Sequence, residues 1–164
     1  MKEICKESVL LNEMIEMQKA LDSAIEKEYG LEYGVDRRYT LEGLKIALLD
    51  EIGEMIHENK GNWCWWKKTQ KPVEREKLLE ELVDCYHFAL SIAYHEHYEF
   101  SKEAINYLLP RSLSWLVAKM LISPELILEI MICITRKIGF TIEDVYEAYR
   151  RKNKVNFERL EEGY

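Results

Sequence analysis

The sequence predicts an all-α protein with a four-helix-bundle core and additional helices. No stretch alternates apolar and polar residues as a half-buried strand does. Only 7 Gly and 3 Pro interrupt the 164 residues, which leaves long uninterrupted stretches between breaks. Apolar residues recur at helical spacing near the N-terminus, at Leu10, Met14, Met17, Leu21 and Ile25. We expect residues 1–164 to form a single domain.

Capping and helix-breaking residues predict the boundaries of the first three helices. The first is expected over residues 2–29, because Gly30 and Gly34 follow it. Thr40 is a suitable N-cap for a second helix over 41–59. A proline at position 72 favours the start of a third helix, over 73–97, after a loop that contains three tryptophans.

The second half of the chain has similar signals. Ser101 is expected to cap a fourth helical stretch, which Pro110 kinks or splits because it removes a hydrogen bond and clashes with the preceding turn. The sequence Ser-Pro-Glu at 123–125 begins the next helix, and Gly139 ends it. Thr141 and Asp144 have the spacing of a capping box, which opens a last helix towards residue 156.

Charge and cysteine content exclude several classes of function. A net charge of -7 argues against general affinity for nucleic acid or an anionic membrane, and it means that an anionic substrate would need help from a metal ion. The four cysteines are widely spaced without a C-x-x-C, which indicates neither a zinc site nor a disulfide framework. No long apolar run or signal-peptide pattern is present, and we expect a cytoplasmic protein.

Two carboxylate pairs with the same three-residue spacing are the strongest functional signal. Glu51 and Glu54 lie in the second predicted helix, and Glu81 and Asp84 lie in the third. Positions i and i+3 share a helix face, so each pair projects its oxygens in one direction. If the two helices pack antiparallel with these faces inward, the four acids meet and require cations. Oxygen ligands without thiolate favour Mg²⁺, with Mn²⁺ also suitable.

The simpler interpretation is that each pair lies on a solvated helix face, since the chain contains 30 acidic residues. The neighbouring sequence favours the metal site. Leu48, Ile52 and Met55 surround the first pair. Apolar residues also surround the second pair, at Leu78, Leu82, Val83, Tyr86 and Ala89.

A basic segment near the C-terminus is unusual in an acidic protein. Lys152, Asn156 and Arg159 follow the spacing i, i+4, i+7, and Asn153 lies beside them. Two cations and two amides along one helix edge suit phosphate oxygens, although such charges also occur on ordinary basic helix faces. In the tryptophan-rich loop, Trp66 and Lys67 are candidates for stacking and phosphate contact, with packing as the alternative.

Histidines offer a rival metal site. His57 follows Glu54 by three residues, and His87 follows Asp84 by three. Carboxylate-x-x-His on two helices is the arrangement in di-iron carboxylate bundles. This reading leaves Glu51, Glu81 and the basic segment without a role, and we otherwise interpret His87 as a buried, hydrogen-bonded residue.

Taken together, these motifs resemble those of the dimeric all-α dUTPase family, within the MazG-like all-α NTP pyrophosphatases. The resemblance covers most of the chain, and it lies in Gln18, E51-I-G-E54, W63-C-W-W-K67, E81-L-V-D84 with His87-Phe88, and K152-N-K-V-N-F-E-R159. Two positions depart from the family pattern. Cys64 stands where a lysine is expected, and Asp22 stands near an expected asparagine.

The resemblance implies a homodimer that hydrolyses dUTP, and dUDP, to dUMP with Mg²⁺ and so keeps uracil out of DNA. It implies that Glu51, Glu54, Glu81 and Asp84 hold the metal, with Glu51 as our choice of general base. It also implies phosphate or sugar contacts from Lys152, Asn153, Asn156 and Arg159, and a base pocket that includes Gln18 and Trp66. Three alternatives remain: a pyrophosphohydrolase for another pyrimidine nucleotide such as dCTP, a di-iron protein, and a non-enzymatic helical interaction protein.

Overall fold

The structure is a computed structural model that describes residues 6–163, and within them the chain forms α helices, short 3₁₀ turns and no strand. The predicted all-α class is therefore confirmed. None of the helices in the described part combines the length and apolar character needed to span a bilayer. The helices are α1 (Lys6–Tyr29), α2 (Leu41–Glu58), α3 (Arg75–His95), α4 (Lys102–Leu108), α5 (Leu113–Ile122), α6 (Ile127–Lys137) and α7 (Ile142–Glu161).

Two predicted caps form, at Thr40 and Thr141. Ser101 lies at the N-cap position of α4, but its side chain makes no capping bond there and its hydroxyl donates to Glu103 at 3.2 Å instead. The Thr40 hydroxyl accepts a bond of 3.2 Å from the Gly43 amide at the start of α2. At α7, the Asp144 amide donates to the Thr141 hydroxyl at 3.1 Å, and the Thr141 amide donates to the Asp144 carboxylate at 2.8 Å. This reciprocal pair is the predicted capping box. Gly139, with φ of +89°, takes the left-handed conformation that ends α6.

Some boundaries differ from those predicted. Residues 2–5 of the first predicted helix lie outside the described residues. Pro110 falls in the break between α4 and α5, as expected. The last helix runs to Glu161 rather than stopping near residue 156. Leu160 in its final turn lies beside Leu21 and Ile25 of α1, so tertiary packing extends a helix that local sequence signals alone would end earlier.

Helix α3 is the central element of the fold. It packs against α1, α2, α6 and α7, while α4 and α5 cover α6. Gln18 contacts His87, and four residues later on both helices Asp22 contacts Ser91. Helices α1 and α3 therefore run parallel. The order is reversed in α2, which is antiparallel to α3. One continuous hydrophobic cluster contains residues from all seven helices.

The core corrects one expectation about surfaces. The apolar segment from 101 to 139 suggested a contact with a second copy through Tyr107, Leu108, Leu109, Trp115, Leu116, Met120 and Leu121. Three of these residues, Leu108, Leu116 and Met120, are buried in the chain's own core and are not available to a partner. They are buried because α4 and α5 fold back onto α6. Tyr107 and Leu109 are exposed.

The loop between α1 and α2 packs closely against the start of α2. A Cβ atom at Gly43 would lie 2.0 Å from the Arg38 carbonyl oxygen. Tyr39 anchors the same loop to α3 by a 2.8 Å hydrogen bond between its hydroxyl and His95 Nε2, and Tyr33 stacks on the His95 ring at 4.0 Å. The close approach therefore requires glycine at position 43.

We predict that Gly43→Ala lowers the free energy of unfolding by about 1 to 3 kcal/mol, the usual cost of inserting an atom into a packed site. The matched control is Gly53→Ala in the same helix, because nothing lies within 4 Å of a Cβ at that position. It should gain up to about 1 kcal/mol, since alanine favours helix over glycine. Chemical denaturation of both variants tests this. Equal effects of the two substitutions would contradict the packing argument.

Candidate functional site

Three carboxylates converge where α2 faces α3. Glu51 comes from α2, and Glu81 and Asp84 come from α3. One carboxylate oxygen from each can be chosen so that all three lie within 4.8 Å of one another, and all three residues are partly buried. The antiparallel packing of the two helices brings the two sequence pairs together. Leu48, Ile52 and Leu82 lie in the adjoining core and fix the helices at this point.

Electrostatic repulsion at this cluster is strong. Burial, followed by the charges of Glu54, Asp84 and Glu51, raises the pKa of Glu81 to about 7. Burial and then Asp84 and Glu54 also raise the pKa of Glu51. Glu54 is exposed and lies outside the group of three, yet its carboxylate acts on both neighbours. It is therefore positioned at the solvent edge of the cluster.

The donor set fits a hard divalent cation. Carboxylate oxygens are the ligands that Mg²⁺ and Mn²⁺ prefer, and a cation would remove the repulsion that raises these pKa values. Lys152 already supplies one positive charge, since its Nζ lies 2.8 Å from Asp84 Oδ2. This ion pair brings α7 and the basic segment to the cluster. Glu51 and Glu81 form no ion pair in residues 6–163, and the charge of Lys152 only partly offsets the rise in the pKa of Glu51.

A largely apolar cavity of about 320 Å³ lies next to the cluster. Its polar wall comes from α1, where Gln18 and Asp22 are buried, and from α3, where His87 and Ser91 are buried. Arg38 lies at the same cavity. The apolar lining comes from α1, α2, α3 and the loop between α1 and α2: Leu21, Ile25, Tyr39, Leu44, Ala47 and Phe88.

Hydrogen bonds fix the orientation of the Gln18 amide. Its Oε1 accepts from the Tyr149 hydroxyl at 2.6 Å and pairs with His87 Nδ1 at 2.8 Å. Burial, assisted by the charge of Lys152, lowers the pKa of His87 to about 3, so the ring is neutral and carries its proton on Nδ1. Gln18 Nε2 then donates to Asp22 Oδ1 at 2.7 Å. One Nε2 hydrogen remains for a ligand.

Asp22 is the buried acceptor of the cavity. Its Oδ2 accepts from the Ser91 hydroxyl at 2.8 Å and lies 3.5 Å from His95 Nε2. A carboxylate accepts about four hydrogen bonds, so these contacts leave lone pairs available to a ligand. The wall therefore presents a donor from Gln18 beside an acceptor from Asp22. That combination can pair with a carbonyl and an adjacent N–H.

The cavity and the carboxylates are one helical turn apart on three helices. Ala47 precedes Glu51 by four residues on α2, and Phe88 follows Asp84 by four on α3. Asn156, which also lines the cavity, follows Lys152 by four on α7. Four residues of helix correspond to a rise of about 6 Å. A single ligand can therefore touch the cavity and the carboxylates together.

The other basic-segment residues lie along α7. Asn153 is buried, and its side chain interacts with the Tyr149 hydroxyl, but its Nδ2 makes no well-formed hydrogen bond among residues 6–163. Asn156 Nδ2 is 3.5 Å from His87 Nε2. Arg159 lies farther along the helix, at a small pocket with Tyr29 and Leu160. Lys152 and Asn156 therefore lie at the cluster and the cavity, with Arg159 near the outer end.

Within one chain, Trp66 and Gln18 are not neighbours. The tryptophan loop follows the C-terminal end of α2, whereas the cavity lies beside its N-terminal half. Trp66 is 56% exposed and Trp65 is 87% exposed, and Lys67 is exposed in the same loop. Trp63 is held by a 2.9 Å bond from its indole nitrogen to the Ile56 carbonyl, and the Trp66 ring packs against Trp63 with ring centroids 5.5 Å apart.

Sequence analysis missed Ser91 and Tyr149, both of which hold the polar wall in place. The spacing from Asp84 through His87 and Phe88 to Ser91 on one face of α3 was an available signal. Tyr149 precedes Asn153 by four residues and had a similar signal. Neither residue type is distinctive enough alone, since serine and tyrosine are common in helices and the contacts join positions more than 60 residues apart.

The di-iron arrangement does not form. His87 Nδ1 is used by Gln18, and the ring stacks on Tyr149 at 4.4 Å, inside the cavity wall. His57 is exposed and lines a depression with Glu54 and Glu81 on the solvent side of the cluster. Neither histidine belongs to the group of three carboxylates that can share an ion. Both histidines would have to move from these positions to form a di-iron site.

Comparison with protein families decides the class. The family model described as dUTPase matches residues 10–164, nearly the whole chain. The chain belongs to the all-α dUTPase family. It is therefore a hydrolase of nucleoside triphosphates, a dUTP diphosphatase that acts on deoxyuridine nucleotides. A comparison with curated proteins gives no significant match. The alternative of a non-enzymatic helical interaction protein is therefore wrong.

We predict that Glu81→Gln stabilises the metal-free enzyme at pH 8 by on the order of 1 kcal/mol, because it removes one of several repelling charges. Asp84→Asn should gain less, since it also removes the partner of Lys152. Glu80→Gln, an exposed neighbour, is the control for charge and should be nearly neutral. Thermal and urea unfolding in a chelator provide the measurement. A destabilised Glu81→Gln would show that repulsion is not dominant.

Proposed function

We propose that the enzyme hydrolyses dUTP, and also dUDP, to dUMP, with Mg²⁺ held by Glu51, Glu81 and Asp84 and with Glu54 completing the set. With dUTP, one water is consumed, the phosphoanhydride bond between the α- and β-phosphates breaks, and pyrophosphate leaves. The observation that supports this most is the separation of one helical turn between a base-sized cavity and a carboxylate cluster. Mn²⁺ has the same ligand preferences and is expected to substitute.

The base is proposed to enter the cavity with its polar edge against α1. Asp22 accepts from the uracil N3–H, and the remaining Nε2 hydrogen of Gln18 donates to an adjacent carbonyl. His87, Tyr149 and Ser91 do not need to touch the base, because they hold Gln18 and Asp22 in orientation. A site that pairs buried polar groups rejects a base that leaves them unpaired. Phe88 and Ala47 supply the apolar contacts.

The phosphate chain is proposed to lie over the carboxylates, with the basic segment beside it. Lys152 is close enough to Asp84 to contact both the cluster and a phosphate oxygen. Asn153 Nδ2 lies beside the Tyr149 hydroxyl without a well-formed hydrogen bond, and a substrate oxygen would supply a better acceptor. Asn156 and Arg159 extend these contacts from the carboxylates towards the cavity, where the sugar is proposed to lie, and Arg159 offers a planar fork.

We assign the general base to Glu51. Asp84 is paired with Lys152, and Glu81 interacts directly with Glu54. Among the three converging carboxylates, Glu51 is thus the one without an ion pair or a carboxylate hydrogen bond in residues 6–163, and the charge of Lys152 has only the smallest effect on its pKa. With one carboxylate oxygen directed to the metal, its other oxygen can orient a water molecule and take its proton. When bound, the divalent ion neutralises phosphate charge and makes the water more acidic. No covalent intermediate is required.

The enzyme is further proposed to be a single-domain homodimer in the cytoplasm. Exposed apolar residues suitable for the contact are Tyr107 and Leu109 at the end of α4, Ile122 in α5, and Ile46 and Leu49 on α2. A role for Trp66 in base binding requires that loop 59–74, from the same chain or from a second copy, approaches the cavity. Lys67 would approach with it and contact phosphate.

We predict that Glu51→Gln, Glu81→Gln and Asp84→Asn each reduce kcat/KM for dUTP by at least about 100-fold with saturating Mg²⁺, because each removes an oxygen donor of the shared site. Glu80→Gln should retain activity. Pyrophosphate release measured with and without a chelator provides the test. A folded Asp84→Asn variant with normal turnover would contradict the shared metal site.

We predict that kcat/KM for dUTP exceeds that for dCTP by at least about 100-fold, because cytosine has no N3–H to donate a hydrogen bond to Asp22. Asp22→Asn, which offers both a donor and an acceptor, should narrow this ratio. Steady-state kinetics with both nucleotides measure it. Comparable values for the two nucleotides in the wild-type enzyme would favour the alternative of a broader pyrimidine nucleotide pyrophosphohydrolase.

A further inference from the structure

A second, basic pocket lies on the opposite side of the carboxylates from the cavity. It has a volume of about 330 Å³ and lies between the C-terminal end of α2 and the start of α3. Its lining includes four lysines and one glutamine: Lys60, Lys67, Lys71, Lys77 and Gln70. We call it the lysine pocket. Four lysines around one concavity are notable in a chain with a net charge of -7.

Loop packing builds this pocket and keeps it open. Gly61 lies close to the later part of the same loop: a Cβ at position 61 would lie 2.9 Å from the Lys71 carbonyl oxygen and 3.1 Å from a Val73 methyl. Asn62 bonds to Asn59 at 2.7 Å, and Trp63 is tied to α2. The loop is thus folded back on itself, with its lysines held around a common space.

The charges of the pocket are only partly offset. Glu58 and Glu74 also line it, and Glu74 lies 2.9 Å from Lys77. Lys60, Lys67 and Lys71 form no ion pair with a carboxylate in residues 6–163. Gln70 Nε2 is buried and lacks a hydrogen-bond acceptor in the same part of the chain. Three cations and an unpaired amide donor call for an anionic ligand rich in acceptor oxygens.

The lysine pocket is continuous with the carboxylate cluster. His57 and Glu58 line it and also line the adjoining depression formed with Glu54 and Glu81. Along α2, the order is therefore cavity, carboxylates and lysine pocket. A nucleotide with its base in the cavity and its scissile bond at the carboxylates directs its terminal phosphates towards the lysines.

We propose that the lysine pocket binds the β- and γ-phosphates of dUTP and holds the pyrophosphate that leaves. This inference rests on the proposed function, since it takes the direction of the substrate from the cavity and the cluster. It assigns a binding role to Lys60, Lys71, Lys77 and Gln70 beyond that of Lys67. It also accounts for a concentration of positive charge beside an acidic site, where repulsion would otherwise oppose a polyanion.

The test compares two double variants that remove the same charge. Lys60→Gln with Lys71→Gln removes two pocket lysines, while Lys45→Gln with Lys68→Gln removes two lysines outside it. Calorimetric titrations with inorganic pyrophosphate, orthophosphate and dUMP, each with Mg²⁺, measure equilibrium affinity. We expect the pocket variant to lose about tenfold or more in pyrophosphate affinity, the size of one charge-assisted contact, and less than twofold for dUMP. The control should change neither.

Three outcomes would overturn the proposal. The first is unchanged pyrophosphate affinity in the pocket variant, and the second is an equal loss in the control variant, which would indicate general electrostatics. The third is wild-type protein that binds pyrophosphate no more tightly than orthophosphate. These titrations need no turnover. Failure of the proposed function would instead appear as wild-type enzyme that releases no pyrophosphate from dUTP, whatever its affinity for the product.

Discussion

Repulsion among the carboxylates of Glu51, Glu81 and Asp84 is the interaction on which the rest of the site depends. One carboxylate oxygen from each lies within 4.8 Å of the other two. Their partial burial and mutual repulsion raise the pKa of Glu81 to about 7. A fold retains such a cluster only if other contacts supply the stability. Here the core between α2 and α3 does so, through fully buried side chains that include Leu48, Ile52 and Leu82.

The same helices that hold the acids also arrange the groups around them. Because α3 touches α1, α2 and α7, a step of one turn along it leads from Asp84 to Phe88 and the cavity. In the other direction, α2 leads from Glu51 to Glu58 and the lysine pocket. The sites proposed for the base, for bond cleavage and for the product thus follow one another along a helix axis. Lys152 joins α7 to this arrangement through its ion pair with Asp84.

Local sequence signals were sufficient for the fold class and for most helix boundaries. The caps at Thr40 and Thr141 and the break at Pro110 depend on residues only a few positions apart, so they are readable from sequence. The end of α7 was missed because it depends on contact with α1. The burial of Leu108, Leu116 and Met120 depends on how α4 and α5 fold onto α6, and no local pattern distinguishes that from an exposed interface.

In the site too, some features follow from local sequence and others only from tertiary contacts. Helical spacing predicted that each acidic pair shares a face, and antiparallel packing joins Glu51 with Glu81 and Asp84. The polar wall could not be derived in the same way. Its contacts join Gln18 to His87 and to Tyr149, pairs separated by 69 and 131 residues. Lysines 60, 67, 71 and 77 are scattered along the loop and the following helix, and only the fold of that loop collects them into a pocket.

Direct measurement of metal binding tests the central claim most simply, because it involves no substrate and no turnover. Electron paramagnetic resonance of Mn²⁺ titrated into the nucleotide-free enzyme reports free and bound ion. The account predicts saturable binding that is lost when Glu51 and Asp84 are replaced together by glutamine and asparagine, and that persists when the exposed Glu80 is replaced by glutamine. Mn²⁺ binding that is unchanged in the double variant would show that the three converging carboxylates are not the metal site.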